Sequence, residues 1–315
     1  MKTFFNLTVI LSVVFLQISC SGGQNSQENT NDTTPSEGTP PEADVPQSDL
    51  LAKNNLMAWC IVPFDSKKRG PAERVQVLAE LGITKYAWDW RDEHLDILGE
   101  EIDLLKENNI ELSAVWYWVH DEVFDGKMEK ILNTLKEKEV KTTFWVSFNN
   151  GFYEGLSDEE SLEKAVGAIG AISERATEMG CRVGLYNHGG WFGEPENQLR
   201  IIEKLAKDNI GIIYNFHHAH HQIEGFEALM KKMEPHLFTV CLNGMDPNGE
   251  KILPIGKGTK EKEMIATLLA SGYDGPVGVL GHVDTEDVKL VLERNLNGLK
   301  GVLEELGQEQ AAATF

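Results

Sequence analysis

The sequence predicts an α/β protein whose chain closes into a (β/α)8 barrel. Eight short apolar runs rich in β-forming residues alternate with eight segments of helical spacing over residues 56–306, and several runs end in polar side chains. A helix between two strands returns the chain to its starting edge, so the strands are predicted to be parallel. An open doubly wound sheet would alternate in the same way and stays open as the alternative. No GxGxxG follows the first strand and no GxxxxGK[ST] occurs, which disfavours nucleotide-binding forms of either fold.

The eight predicted strands are apolar runs bounded by turn residues or by the ends of helices. The first, LMAWCIVPF, is closed by proline and aspartate, and the third, ELSAVWYWV, is rich in aromatic residues. The predicted strands cover residues 56–64, 85–90, 111–119, 141–148, 182–187, 211–216, 237–243 and 276–280.

The helices are predicted from apolar residues at helical spacing and from their end signals. The fourth opens with Ser157 and Glu160, a capping box in which each side chain satisfies a free backbone amide. Gly82 and Gly180 are placed to end the first and fourth helices. The predicted helices cover residues 71–81, 94–108, 126–138, 157–179, 194–207, 226–233, 260–271 and 285–306.

Length and composition fit one large globular domain or two small ones, and the uninterrupted alternation predicts one barrel domain at residues 51–315. The chain has 315 residues, 41% hydrophobic and 25% charged, which is enough to bury a large core. Its formal net charge of −21 disfavours nucleic acid as a partner, since nucleic acid is a polyanion. Cys60, Cys181 and Cys241 lie in apolar runs and are predicted to be buried thiols.

The N-terminal region is predicted to export and anchor the protein. Residues 1–19 have the features of a lipoprotein signal peptide, and Leu16–Cys20 resembles the lipobox of bacterial lipoproteins, with Gln17 where an aliphatic residue is usual. Residues 20–50, rich in Pro, Gly, Ser, Asn and Glu, are predicted to be a disordered tether. We therefore expect an exported protein facing the periplasm, whose membrane partner is reached through lipid on Cys20.

Polar motifs follow the last four strands, and their order resembles a known family. They are Asn187-His188, the NxxH of residues 215–218, the NxxD of residues 243–246, the loop ILPIGKG and the segment ASGYDGPVGVL. On these motifs the chain resembles the xylose-isomerase-like TIM barrels, the sugar phosphate isomerase/epimerase group, over residues 56–306. The resemblance implies proton transfer next to a sugar carbonyl at the carboxyl ends of the strands.

The resemblance also implies where a metal would be bound. Metal-dependent members hold one divalent cation with Glu, Asp, His and Glu after strands five to eight, and the matching positions here are Tyr186, Asn215, Asn243 and Leu280. Tyrosine and asparagine are weak ligands for Mn²⁺ or Mg²⁺, and leucine is none. We therefore expect the family's usual metal site to be absent.

Histidines are predicted to line the mouth of the barrel above those positions. Each lies two residues after a side chain expected to face the barrel axis, and residues two apart point to the same side of a strand. The histidines are His188, His217 and His282. Three uses stay open: they could hold a displaced divalent ion of the zinc type together with Asp246, transfer protons without a metal, or line a barrel that binds without turnover.

Further side chains near the strand ends are candidates for binding the substrate. Amide, carboxylate and cationic groups would bond sugar hydroxyls or a carbonyl, tryptophans would stack on a ring, and one histidine occupies a motif position that contacts substrate in related epimerases. The predicted substrate-binding residues are Asn215, His218, Asn243, Lys257, Asp89, Arg91, Trp116 and Trp191.

Taken together, these features predict an isomerase or epimerase, or a related lyase or hydratase, that acts on a small saccharide. His188 with His217 or His282 is predicted to supply base and acid, and Tyr186 to stabilise a developing enolate. A non-phosphorylated sugar is expected, because an exported enzyme meets free sugars and the mouth has no cluster of Lys and Arg. The alternative is a non-catalytic saccharide-binding lipoprotein on the same barrel.

Overall fold

The protein forms a closed barrel of eight parallel strands. The computed structural model describes residues 46–315, so the predicted signal peptide, Cys20 and the tether up to residue 45 lie outside the described residues. The strands follow one another around the barrel in sequence order, and the first pairs in parallel with both the second and the last. The predicted (β/α)8 barrel is confirmed, and the open sheet is excluded because the sheet has no free edge.

Most strands lie close to their predicted positions. The strands are β1 Leu56–Trp59, β2 Lys85–Trp88, β3 Glu111–Val119, β4 Thr143–Phe148, β5 Arg182–Tyr186, β6 Ile210–Asn215, β7 Leu237–Leu242 and β8 Val277–Leu280. The largest difference concerns β1, which was predicted to reach Phe64. Cys60 adopts a left-handed conformation with φ 58°, and this turns the chain out of the sheet directly after Trp59.

The helices surround the barrel. They are α1 Pro71–Glu80, α2 Leu98–Glu107, α3 Gly126–Glu137, α4 Asp158–Glu178, α5 Gly190–Gly193, α6 Pro195–Leu205, α7 Phe226–Met233, α8 Glu261–Ala270, α9 Val288–Glu305 and α10 Glu309–Ala312. The single-turn helices α5 and α10 were not predicted. The capping box of α4 forms as expected, with the Ser157 amide donating to Glu160 Oε2 at 2.8 Å. Within residues 46–315 no helix has the length and apolarity needed to cross a membrane.

Two apolar cores hold the barrel together. One fills the space between strands and helices, and the other fills the barrel itself with large side chains such as Trp59, Trp145 and Ile213. Large side chains need small neighbours inside a closed barrel. A Cβ on Gly184 would lie 2.4 Å from Ile213 Cγ1, so glycine is required there. The three predicted buried thiols are indeed free and buried.

The first described residues pack against the C-terminal end of the chain. The Ser48 amide donates to Gln308 Oε1 at 3.0 Å, the Gln308 side chain donates to the Pro46 carbonyl at 3.0 Å, and Leu50 is buried. Contacts with the barrel domain therefore begin a few residues before residue 51, the predicted start of the domain.

Candidate functional site

A narrow pocket of about 40 Å³ opens at the carboxyl ends of the strands. A cavity needs about 10–15 Å³ to hold one water, so the pocket has room for about three water-sized groups. The residues that line it are Trp59, Cys60, Phe64, Asp89, Arg91, Trp116, Tyr186, His188, His217, His218 and His282. Eight of the predicted site residues therefore line this pocket, and a ninth, Asn215, bonds directly to Tyr186, which lines it.

Alternation along the strands places several of these side chains. Tyr186, the last residue of β5, packs in the barrel core, and His188 two residues later lines the pocket. Leu280 at the end of β8 and His282 have the same relation. His217 reaches the pocket differently, from a 3-10 turn at Phe216–His218 that follows β6.

Four imidazoles form a continuous cluster in the pocket wall. The ring centroids of His217 and His218 are 3.7 Å apart, those of His188 and His218 are 4.7 Å apart, and those of His217 and His282 are 5.4 Å apart. Both ring nitrogens of His217 and Nδ1 of His282 are buried without a hydrogen-bond partner in the protein. Buried polar atoms without partners are costly, so this wall is suited to a ligand that supplies hydrogen bonds.

Tyr186 sits at the base of the cluster in a hydrogen-bonded chain. Its hydroxyl accepts from Asn215 Nδ2 at 2.9 Å and lies 3.2 Å from His218 Nε2. The position of Asn215 is fixed in turn by its backbone amide, which donates to Asn187 Oδ1 at 2.8 Å. Burial raises the pKa of Tyr186 well above 10, so the phenol stays protonated and can donate.

Asp89 follows β2 and lines the pocket, and one of its carboxylate oxygens has no hydrogen-bond partner in the protein. Its Oδ1 accepts from the amides of Ile61 and Val62 at 3.2 and 3.1 Å, while Oδ2 is buried without a hydrogen-bond partner. The two amides fix the orientation of the carboxyl group. Loss of solvent raises the pKa of Asp89 to about 7, although the two amides and Arg91 act in the opposite direction.

The pKa values of the four imidazoles are lowered, whereas that of Asp89 is raised. Burial, with a contribution from the positive charge of Lys251, lowers the pKa of His188 and His282 to about 4 and that of His218 to about 2. The same causes, together with the other imidazoles, place the pKa of His217 well below its usual value. At neutral pH the four rings are uncharged, and Asp89 is the pocket residue whose protonation changes.

Aromatic rings and one guanidinium frame the opening. The Trp116 ring lies 5.9 Å from that of His188, and Trp118 is 5.4 Å from the same imidazole. The guanidinium of Arg91 lies over the rings of Phe64 and Trp116 at 5.4 and 5.3 Å. These contacts hold Arg91 flat against the wall of the pocket.

Three predicted substrate-binding residues lie elsewhere. Lys257 is exposed and does not line the pocket. Trp191 lies on α5, where its indole donates to Asp158 Oδ1 at 2.8 Å, so packing at the start of α4 occupies it. Asn243 donates to the carbonyls of Gly244 and Lys251 and accepts from an amide, which means that its side chain shapes the loop after β7.

Sequence reasoning missed two contributors. Lys251, in the loop between β7 and α8, is the lysine whose charge acts on the histidine cluster, and it stands six positions before the lysine singled out from the GKG motif. Phe64 was assigned to the first strand, but it folds over the mouth with its ring 3.7 Å from that of His282. Neither position has a local sequence signal, because each depends on how a loop returns over the barrel.

The side chains at the family's metal positions do not fit a divalent cation. Tyr186 and Asn215 bond each other, Leu280 is buried in the barrel core, and the Asn243 amide is used by its loop. The predicted displaced site also differs from what is found, because the carboxylate of Asp246 accepts from the Thr259 amide and Asp246 does not line the pocket. In the part of the chain that the structure describes, no three His, Cys, Asp or Glu side chains are arranged to hold a metal ion.

Several solved structures superpose on this barrel over most of its length. The 3-keto-D-glucoside 4-epimerase from E. coli superposes with a TM-score of 0.61 at 16% identity, covering 79% of this chain and 99% of the other. A D-psicose 3-epimerase gives 0.58 at 15% identity, covering 80% and 99%. The probable 3-DHS dehydratase AsbF from Bacillus anthracis gives 0.58 at 16%, covering 75% and 97%. At these identities the likeness establishes the fold.

Sequence comparison identifies the family. No sequence of a curated protein matches the chain. Residues 82–300 match the family model described as the xylose isomerase-like TIM barrel, which spans most of the barrel and agrees with the resemblance seen in the motifs after strands five to eight. The chain therefore belongs to the xylose isomerase-like TIM barrel family.

Proposed function

We propose that the protein is an isomerase or epimerase that moves a proton next to the carbonyl of a neutral saccharide. The observation that carries this proposal is the set of buried polar atoms in the pocket wall that have no partner in the protein. They are Asp89 Oδ2, both ring nitrogens of His217 and His282 Nδ1. A polyhydroxylated ligand satisfies such atoms, and an apolar ligand does not.

In this proposal Asp89 is the base, which revises the assignment made from sequence. Asp89 lines the pocket, its Oδ2 has no hydrogen-bond partner in the protein, and its pKa of about 7 suits a group that must accept and return a proton near neutral pH. The histidines have pKa values well below neutrality, which makes them weaker bases and keeps them uncharged. Asp89 takes the proton from the carbon beside the carbonyl, and an enolate forms.

Tyr186 and His188 would stabilise the enolate oxygen. The phenol of Tyr186 is kept protonated by burial, and a neutral imidazole at His188 can donate one hydrogen bond from whichever ring nitrogen carries the proton. When the substrate is an α-hydroxyketone, return of the proton to the former carbonyl carbon, with the neighbouring hydroxyl proton passing to the enolate oxygen, completes an isomerisation. Addition of a proton from solvent to the opposite face of the same carbon, with Asp89 releasing its own proton to solvent, completes an epimerisation.

Comparison with solved structures supports this reaction class. Two of the neighbours are named as sugar epimerases and one as a probable dehydratase, and removal of a proton beside a carbonyl is a step that can serve either class of reaction. Because one neighbour is named as a probable dehydratase, a lyase or hydratase reaction also remains part of the proposal. The poor fit of the metal positions means that no step is assigned to a metal ion in this chain.

A neutral substrate is favoured by the charge of the pocket. Among residues 46–315, Arg91 is the one cationic side chain that lines it, and its guanidinium is stacked over two aromatic rings. A phosphate needs several convergent donors or cations. The lipobox-like sequence ending in Cys20 fits the same proposal, because an exported, tethered enzyme meets free saccharides.

Exchange of hydrogen for deuterium tests the proposal directly. The protein is incubated in D₂O with D-fructose, D-psicose and methyl 3-keto-D-glucoside, and deuterium at the carbon beside the carbonyl is followed by NMR. We expect exchange with at least one ketosugar. Asp89→Asn should slow it by about 10²–10⁴-fold, the usual contribution of a general base. His188→Gln should slow it by about 10²-fold through loss of a hydrogen bond to the enolate.

Matched controls use the same substitutions at the opposite end of the barrel. Asp208→Asn and His236→Gln lie just before β6 and β7 and should leave exchange unchanged. If saccharides bind but none exchanges, the binding-only alternative replaces the enzyme. If exchange is seen and Asp89→Asn keeps the full rate, the proton is taken by another group.

A further inference from the structure

A second, larger cleft lies beside the pocket and has no role in the chemistry described so far. Its volume is about 440 Å³, within the roughly 300–1,000 Å³ range of small-molecule sites. It runs between the loop that follows β7, at Glu250–Pro254, and the segment from His282 to the second turn of α9. Asn243 lines this cleft and not the pocket. A residue that was predicted from sequence to bind substrate therefore lies at the cleft.

The cleft and the pocket meet at His282, which lines both. The pocket is about 40 Å³, so it accepts the reacting carbons of a sugar and leaves the rest of a larger molecule outside. A substituent that leaves the pocket past the His282 ring enters the cleft. The unpartnered Nδ1 of His282 is available at this junction.

The lining of the cleft combines carboxylates with an apolar wall. The carboxylates that line the cleft are Glu250, Asp284 and Glu286, and the one lining cation is Arg294. Arg294 Nη1 and Nη2 donate to Glu286 at 2.8 and 3.2 Å. The three carboxylates and one guanidinium that line the cleft sum to −2, and the nearby Lys251 offsets one of these charges, so carboxylates remain in excess and disfavour phosphates and uronates.

Sugar rings match this combination of surfaces. A pyranose presents C–H groups on one face and hydroxyls around its rim, and exposed carboxylates are strong acceptors for hydroxyl groups. Ile252 and Pro254 supply an apolar wall on the side of the β7 loop. The exposed carboxylate of Asp284 lies on the opposite side of the cleft.

We propose that this cleft is a subsite for the second sugar of a neutral disaccharide or glycoside, whose first ring reacts in the pocket. The proposal rests on the proposed function and adds the size class of the substrate to it. The enzyme would therefore prefer a glycosidically linked sugar to the corresponding monosaccharide.

Calorimetric titration tests this proposal without depending on turnover. The protein is titrated with cellobiose, maltose, lactose and sucrose, each beside its component monosaccharides, and with glucose 1-phosphate as a charged probe. We expect at least one disaccharide to bind at least 10-fold more tightly than either component. Glucose 1-phosphate should bind no better than glucose.

Two variants locate the binding. Ile252→Trp fills the cleft and should remove the disaccharide advantage while monosaccharide affinity stays within about 2-fold. Leu290→Trp places the same indole on an α9 position that is 57% exposed and does not line the cleft, and it should change neither affinity. Asp284→Asn should weaken disaccharide binding alone, by several-fold.

The outcomes separate this proposal from the proposed function. Equal affinities for disaccharide and monosaccharide, or an advantage that survives in Ile252→Trp, would overturn the subsite even if deuterium exchange occurs. A disaccharide advantage without exchange on any ketosugar would keep the subsite and leave a binding protein. Failure of every saccharide to bind would overturn both.

Discussion

The carboxyl group of Asp89 is fully enclosed, and this has a cost for folding that can be measured. Burial raises its pKa from 3.8 to about 7, so between those values the unfolded chain releases a proton that the folded chain keeps. Stability is therefore lost as pH rises through this window, at about 1.4 kcal/mol per pH unit. The loss is complete above pH 7.

Asp89→Asn should remove this cost, because asparagine has no carboxyl group to titrate. Asparagine can keep the two hydrogen bonds from the Ile61 and Val62 amides, because its Oδ1 takes the same place. We expect the stability advantage of the variant over the wild type to grow by about 2 kcal/mol between pH 5 and pH 8. Urea unfolding at both pH values measures it, and an offset independent of pH would contradict the assigned pKa shift.

At this scale the sequence predicted side chains on strands better than those on loops. His188 and His282 were placed correctly at the mouth by counting two residues from Tyr186 and Leu280, because strand alternation is fixed by backbone geometry. Lys257 was chosen from a glycine-rich motif, and its loop turns that side chain outward. Asp89 was selected from sequence as a substrate-binding residue, but its raised pKa could not be predicted, because the shift depends on the burial of the carboxyl group in the folded protein.

Helix α1 and helix α2 are joined by a buried ion pair. Arg74 Nε donates to Glu101 Oε1 at 2.7 Å, Nη2 donates to Oε2 at 2.8 Å, and both residues are 1% exposed. A third donor, Nη1, reaches the Arg69 carbonyl at 2.7 Å. The pair therefore satisfies two charges that would be costly to bury separately.

Breaking this pair from one side should be more damaging than replacing it. Glu101→Leu or Arg74→Met leaves one buried charge without its partner and should lower the free energy of unfolding by about 3–5 kcal/mol. The double variant Arg74→Met/Glu101→Leu should recover much of that loss. Chemical denaturation of the four proteins in a double-mutant cycle measures the coupling, and additive losses would show that the pair is not coupled.

The positions of helices and strands were predictable because each depends on local signals. Apolar periodicity, the capping box of α4 and glycines after helices set most boundaries. The end of β1 was missed because Cys60 turns in a left-handed conformation that its residue type does not favour. The extra turn α5 lies in a segment with three glycines, which a pattern of apolar residues cannot assign.

The whole barrel is closed by contacts between its beginning and its end. Besides the pairing of β1 with β8, the buried carboxylate of Asp65 in the first loop accepts from the Val288 amide at the start of α9. Arg69 bonds both Asp65 and Asp287. The count of eight units predicted closure, but the side chains that complete it are separated by more than 200 residues and carried no signal in the sequence.

The histidine cluster predicts how the whole molecule responds to acid. Each of the four imidazoles has a folded pKa below its usual value, because burial disfavours the charged ring. The unfolded chain takes up protons below about pH 6.5 while the folded protein does not, so the stability present above that value is lost as pH falls toward 4. Each histidine contributes up to about 1.4 kcal/mol per pH unit.

Thermal unfolding between pH 7.5 and pH 5 should therefore show a steep fall in Tm. His188→Gln/His282→Gln removes two of the four groups and should flatten the fall by roughly half, whatever its effect on stability at pH 7.5. His236→Gln, before β7 at the opposite end of the barrel, should leave the slope unchanged. Parallel curves for the wild type and the double variant would mean that the cluster is open to protons in the folded state. In that case His188 could be charged at the pH of catalysis and would return as a candidate for the acid.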